Sequence, residues 1–473
     1  MDGLCDPNLG EGVVITNVVS DGTSQSALLN WQLMDKRFSS LFNLTEEQAI
    51  EILDRPATDS DEASSRYIAA SHLANFDTER SVAALMRAVN HDAPDLDNRI
   101  VRRKALESLG RLKVSAALPV IERCLADDDS YLVENAAWAL GEIGTDNTAI
   151  LEKLAEQLDR PEQSYRTIIH ALASLGYAPA AERIEKFTVS EQAPIASAAF
   201  SAVYQLKGDQ QAIHQVLSFL QSPNVNARRG SIQDLIDARY VEAIPKIAQC
   251  PVSMVFRLRG IRLLAEAAIQ DSSQADQAAT FAHVQPALET TLRDHPSAIA
   301  FVHQYEQRPD VQRLVQDLYG TDFGRCYLAS QTLIDHYAEA APAALIDSYE
   351  TEGYNDYGAH YHIMRLFGWL RVSDAYDLLV TALHNKAPQF QKSRVAAAVS
   401  LGELGDARAI DELNQGLTAP IWDVQYAILM ALEKLRSSST DGHPPASASR
   451  VIEQAQSQLS TFDWLVQEKL KTM

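Results

Sequence analysis

One phrase recurs along this chain: an alanine-rich, helix-compatible segment that closes on Leu-Gly. It reads "VRRKALESLGRL", "VENAAWALGEIG", "IIHALASLGYA" and "VAAAVSLGELG". The closing apolar residues Leu73, Leu109, Leu140, Leu175, Leu206, Leu235 and Leu264, then Leu333, Phe367, Leu401 and Leu432, return every 29 to 36 residues within each series. A period in that range marks a helical solenoid, where a single repeat cannot bury its apolar face and must stack on its neighbours.

Between these phrases lie second amphipathic stretches such as "AALPVIERCLADDD" and "AIDELNQGLTAP", broken by Asp, Gly and Pro. Two helices per repeat, of the HEAT type, is the economical reading. The expected fold is all-α, an α-solenoid of HEAT-like helix pairs curved into a superhelix with a concave ligand groove. The spacing divides the 473 residues into a flexible N-terminal segment (1–33), an N-terminal array (34–265), an irregular helical junction (266–320), a C-terminal array (321–436), a flexible loop (437–449) and a last helix (450–473).

Composition removes several functions. A formal net charge of -22, from 63 acidic and 41 basic residues, repels a phosphate backbone and argues against nucleic-acid binding. Cys5, Cys124, Cys250 and Cys326 are far apart, with no CxxC spacing, so buried thiols in a reducing cytoplasm are expected rather than disulfides, a metal site or a nucleophile. No apolar run reaches the length of a membrane span, and the first 30 residues lack the basic and apolar blocks of a signal peptide. A phosphate loop, a dinucleotide fingerprint and a serine elbow are all missing.

The stretch "YNDYGAHYHIMRLFGWLR" (354–371) raises a question that the repeat makes general. Ala359, Ile363, Leu366, Phe367 and Leu370 form one apolar helical face, while Tyr357, Tyr361 and Arg365 form the opposite stripe. In such repeats the alanine-rich helix lines the concave side, and its open positions fall six and two residues before the closing residue. Tyr67, Arg103, Glu134, Arg229, Tyr327, Tyr361 and Tyr426 stand at the first position, and Trp138, Arg262 and Arg365 at the second. Flat rings interleaved with Arg and Glu suit a large planar conjugated ligand that carries carboxylates. Packing against neighbouring loops is the plainer alternative for any one ring. His360 and His362 lie two apart on a helix, point in different directions, and have no third ligand in view, so no metal site is expected.

The phrases "SRYIAASHLANF", "DNRIVRRKALESLGRL", "SYLVENAAWALGEIGT", "IAQCPVSMVFRLRGIRLL" and "DYGAHYHIMRLFGWLR" resemble the E/F-type phycobilin lyases of cyanobacteria. Within that family they are most similar to the single-chain lyases that load phycoerythrobilin onto the α subunit of phycoerythrin. The resemblance spans roughly residues 34–435. It implies an enzyme with no permanently bound cofactor, whose substrate is the linear tetrapyrrole phycoerythrobilin. The partner subunit supplies the thiol for a thioether bond, which accounts for the missing nucleophile. The family's separate E and F subunits imply that both arrays here replace a heterodimer, so a cytoplasmic monomer is expected.

On that resemblance, roles follow from chemistry. Glu134 is the candidate partner for the pyrrole N–H groups, with Tyr131 and Trp138 stacking beside it and Tyr67, Tyr327 and Tyr426 extending the wall. Arg262, Arg365, Arg103 and Arg229 are candidates for the propionates. Tyr357, His360, Tyr361 and His362 are candidate proton donors or acceptors, with Asp356 polarising a neighbour. Isomerisation to phycourobilin is a further possibility, although the His-Cys pair of the phycoerythrocyanin lyase-isomerases is absent. A bilin-binding chaperone or a HEAT-repeat scaffold for phycobiliprotein assembly, making no bond, remains the alternative.

Overall fold

In the computed structural model, residues 44–55, 60–271, 277–437 and 446–473 are described. The segments read as a flexible N-terminus and most of the flexible loop fall outside them. Among the described residues the chain is helices and connecting turns, with no strand.

Two compact units divide the chain, Met1–Ala212 and Ile213–Met473. The division falls within the stretch read as one N-terminal array. In the first unit the alanine-rich helices stack in order: Leu96–Arg111 packs on Ser60–His72 and on Ser130–Ile143, which packs on Tyr165–Ser174, which packs on Ala193–Lys207. In the second, Phe323–His336, Tyr357–Trp369, Gln391–Leu404, Trp422–Ser437 and Trp464–Thr472 stack in the same manner.

The repeat phrase is explained by that stacking. Leu73, Leu109, Leu140, Leu235, Leu264, Leu333, Phe367, Leu401 and Leu432 are all fully buried, and Leu175 and Leu206 are partly so. At two positions the glycine after the closing leucine has a clear physical reason. At Gly176 it takes a left-handed φ of 65° that stops the helix. At Gly402 a Cβ would lie 2.8 Å from the Ala431 Cα, so only glycine lets the helices Gln391–Leu404 and Trp422–Ser437 approach this closely. Gly402→Ala is therefore expected to cost about 1–3 kcal/mol through a forced helix shift, read as a lower denaturation midpoint of the C-terminal unit. The Asp-rich breaks have their own physical reason: Asp95, Asp129, Asp322 and Asp356 each accept a backbone N–H in the first turn of the helix that follows.

The expected irregular junction contains a long helix, Gln277–Arg293, which packs chiefly on Met254–Asp271 and Ile244–Ala248 before it and also reaches the C-terminal stack. Its neighbours include Gln391–Leu404 and Trp464–Thr472. Phe281, Val284, Leu288 and Leu292 are buried, so the inner face of the C-terminal stack is filled by protein over this stretch. Part of that face stays open as a cavity of about 380 Å³ lined by Arg293, Val399, Glu403 and Met430.

Candidate active site

Helix Tyr357–Trp369 begins at Asp356, whose carboxylate accepts the N–H groups of Gly358 (2.8 Å) and Ala359 (2.7 Å). Asp356 is thus a helix cap. Of the stripe Tyr357, Tyr361 and Arg365, only Tyr357 is open to solvent, at 47% exposure; Tyr361 and Arg365 are fully buried. This corrects the expectation of an open stripe, and it extends to Tyr327, Tyr426, His360 and His362, which are also sealed. For Tyr327, Tyr361, Arg365 and Tyr426 the cause is the junction helix and the turn after it. Tyr426 faces Phe281 and Glu289 of that helix, and the Arg365 guanidinium donates to the Leu292 carbonyl at 2.7 Å.

Tyr361 and Tyr327 instead serve a buried polar hub. The Asp294 carboxylate, fully buried, accepts hydrogen bonds from Arg257, from the Tyr361 hydroxyl and from the Tyr327 hydroxyl (2.8 Å). Arg257 uses its remaining N–H groups on the carbonyls of Val252 (3.2 Å) and Ala248 (3.0 Å). Burial raises the pKa of both tyrosines above the ordinary phenol value, so at neutral pH they donate and stay neutral.

Beside the hub, under Tyr357, stands a residue the sequence reading did not single out. Lys392 opens helix Gln391–Leu404, is 3% exposed, and its Nζ has no hydrogen-bond partner. Three rings surround the amine, with centroids at 3.4 Å (Tyr357), 4.3 Å (Phe323) and 5.2 Å (Tyr361). The sequence does carry a signal for it: a lysine placed just ahead of "SRVAAAVSLG", all of which is buried, can neither reach water easily nor find an acid on its own helix.

The two histidines part company, as their spacing predicts. His362 packs on Phe323, Tyr327 and Tyr361, and neither ring nitrogen has a partner. His360 turns toward Tyr349 and Phe390. Burial lowers both: His360 to about 4, and His362 well below its usual value, where Lys392 and Arg365 also oppose a second charge.

In the first unit, the expected binding residues are more open. Tyr131 is 61% exposed and Tyr67 36%, and Trp138 and Glu134 are half-buried. The charged groups among the expected binding residues are already engaged. Arg103 makes a two-pronged contact with Asp129 (2.8 and 2.7 Å) and lies 4.6 Å over the Tyr131 ring. Burial of Asp129 opposes its charge, yet Arg103 and Arg99 outweigh that and hold its carboxyl below the usual range. Glu134 accepts from Ser164 (2.8 Å) and Thr167 (3.0 Å). In the second unit, Arg262 is paired with Glu266 and Asp463, and Arg229 donates to the Thr321 carbonyl at 3.2 Å. The four arginines expected at the propionates all have partners within the chain.

Three thiols can be placed. Cys124, Cys250 and Cys326 are buried, and burial pushes their pKa values up to about 11, 12 and 12. None of these three is a ready nucleophile.

Comparison with known proteins fits this scaffold. A family model described as HEAT repeats matches residues 95–173, and one described as PBS lyase HEAT-like repeat matches residues 393–418. An uncharacterized phycocyanin operon protein Y from Pseudanabaena tenuis is 57% identical over 406 residues, covering 86% of this chain and 96% of that protein. The bilin biosynthesis protein CpeY of a Synechococcus species is 31% identical over 391 residues, covering 80% of this chain and 91% of its own length. A phycocyanobilin lyase subunit alpha from a Picosynechococcus species is 30% identical over 247 residues, which is 49% of this chain and 90% of the subunit. With two relatives matched along most of both chains, on stacked helix pairs, this protein belongs to the HEAT-repeat phycobilin lyase family.

Proposed function

We propose that the chain is a phycobilin lyase that joins phycoerythrobilin, through a thioether, to a cysteine of the phycoerythrin α subunit. The observation that carries this reading is the match along 80% of the chain to a bilin biosynthesis protein. The sealed state of Cys124, Cys250 and Cys326 supports it, because the attacking sulfur then belongs to the acceptor subunit. What remains for this chain is to bind the tetrapyrrole, hold the reacting carbon toward the incoming thiol and move a proton.

Within the first unit, Tyr67 and Tyr131 are exposed and Trp138 is half-buried, rings on which a planar tetrapyrrole can stack. The second offers the cluster of Tyr357 and Lys392 with neutral His362 behind it. Concurrent isomerisation of the bilin to phycourobilin is the finer branch of the same reading. It requires one carbon to lose a proton and another to gain one, so it needs the same kind of group.

Co-expression with phycoerythrobilin synthesis and the α subunit tests the reading. A subunit that fluoresces on a denaturing gel, with the acid-denatured spectrum of phycoerythrobilin, is the expected product of a lyase. A blue-shifted phycourobilin spectrum would assign the isomerase as well. Bilin that stays with this chain, with no adduct on the subunit, would replace the proposal with a carrier role. Trp138→Ala is expected to weaken bilin binding by roughly 2- to 10-fold, the amount lost with one ring contact.

A further inference from the structure

The buried charged side chains of the second unit mostly have partners. Asp294 holds Arg257 and two tyrosines; Asp322 holds Arg228 and His303; Glu289 holds Lys469. Lys392 is different. It is nearly fully buried and its amine makes no hydrogen bond. A lysine kept for structure extends its amine to water or meets a carboxylate. This one ends in a three-ring cage whose outer wall, Tyr357, is itself half-exposed.

We propose that Lys392 is the proton-transfer group of this site, taking the proton of the acceptor thiol and delivering it to the tetrapyrrole carbon beside the one that sulfur attacks. The proposal rests on the lyase reading above and deepens it. The thiol proton passes to Nζ, and the sulfur adds to the exocyclic carbon–carbon double bond of the bilin. The π electron pair of that bond moves to the neighbouring ring carbon, which takes the proton from the ammonium. Lys392 ends as it began, and no oxidant or reductant is consumed.

The surroundings suit that role. Helix Phe323–His336 presents Phe323 and Cys326 to the amine, and helix Tyr357–Trp369 presents Tyr357, Tyr361 and the neutral rings of His360 and His362. Three formal charges act from further off: Asp356 and Asp294 favour the ammonium, and Arg229 opposes it. Burial outweighs the rest and lowers the amine to about 7. Near neutral pH the group is thus present both as base and as acid, the condition for passing a proton in each direction. Tyr357 lies against the amine and is the one ring of the cage that reaches solvent, so the approach to Nζ is from its side.

The test uses the purified full chain, phycoerythrobilin and apo α subunit, with bilin binding followed by absorbance and transfer followed in single turnover from pH 5.5 to 9. The wild-type rate is expected to rise with an apparent pKa near 7. Lys392→Met should bind bilin within about 3-fold of wild type and lose about 10²–10⁴ of the transfer rate. Lys392→Arg keeps the charge and most of the length, and its rate should be low with the limb near pH 7 gone. Bilin should also protect Lys392 of the wild-type chain from acetylation by acetic anhydride, a readout that needs no variant. Wild-type rates and an intact limb in both variants, or acetylation unaffected by bilin, would overturn the proposal. A wild-type chain that transfers no bilin at all overturns the lyase reading on which it rests, and is told apart by the unsubstituted protein alone.

Discussion

Asp294→Ala should unfold the C-terminal unit while the first unit keeps its structure, at a cost of about 3–5 kcal/mol. The size follows from what the substitution leaves behind. Arg257 is 1% exposed, and its charge is balanced by Asp294. With the carboxylate gone, a guanidinium stays buried beside two tyrosine hydroxyls that have lost their acceptor. The hub draws on four separate stretches of chain: the helix Met254–Asp271, the turn after Gln277–Arg293, and the helices Phe323–His336 and Tyr357–Trp369. Its loss should therefore be felt in all of them. Amide exchange is the direct measurement: peptides from 323–336 and 357–369 should exchange at least about 100-fold faster, with those from 130–143 unchanged. Asp294→Asn is expected to behave similarly, because it preserves the shape but not the charge. Unchanged protection in 357–369 would mean that the hub does not hold the unit together.

Acid should loosen the same unit before it titrates most carboxylates. His360 has a folded-state pKa of about 4, against 6.5 for a free imidazole, and burial holds His362 well below its usual value too. Below pH 6.5 the unfolded chain takes up protons that the folded chain refuses, so stability falls as pH falls from 6.5 toward 4. For His360 alone the full change is about 3 kcal/mol, since each tenfold loss of proton affinity on folding is worth about 1.4 kcal/mol. Urea midpoints of the C-terminal unit should decline steadily between about pH 6.5 and 4.5. His360→Phe, which can keep the ring contacts with Tyr349 and Phe390, should make that decline shallower. Asp423, whose burial raises it to about 6, acts in the opposite sense over part of this range, so the deciding comparison is between the two chains: identical slopes in wild type and His360→Phe would contradict the burial of this ring.

The stack of helix pairs was legible because its physics repeats. Each alanine-rich helix must offer small residues to the next and bury one large apolar residue per period, as Leu109, Leu140 and Leu401 do. What covers the inner face was not legible, because the helix Gln277–Arg293 follows no repeat and meets the stack through contacts distant in sequence, such as Phe281 with Tyr426. Tyr361 and Arg365 do point away from the core of their own repeat, as their spacing implies. They enter a second core, around Asp294, whose importance lies in tertiary contact alone. Lys392 is hidden in the sequence for the opposite reason. The open concave positions stand at fixed offsets before each closing residue, and this lysine lies nine residues before Leu401, in the first turn.

The proposed activity is formation of a carbon–sulfur bond on another protein, and one reaction tests it. Purified chain, phycoerythrobilin and apo α subunit are mixed at neutral pH, and the products are separated under denaturing conditions. The expected product is bilin bound covalently to an α-subunit cysteine, formed faster with the chain than without it, and abolished by blocking the subunit's thiols. Bilin recovered free, or covalently attached at the same rate in the absence of the chain, would contradict it.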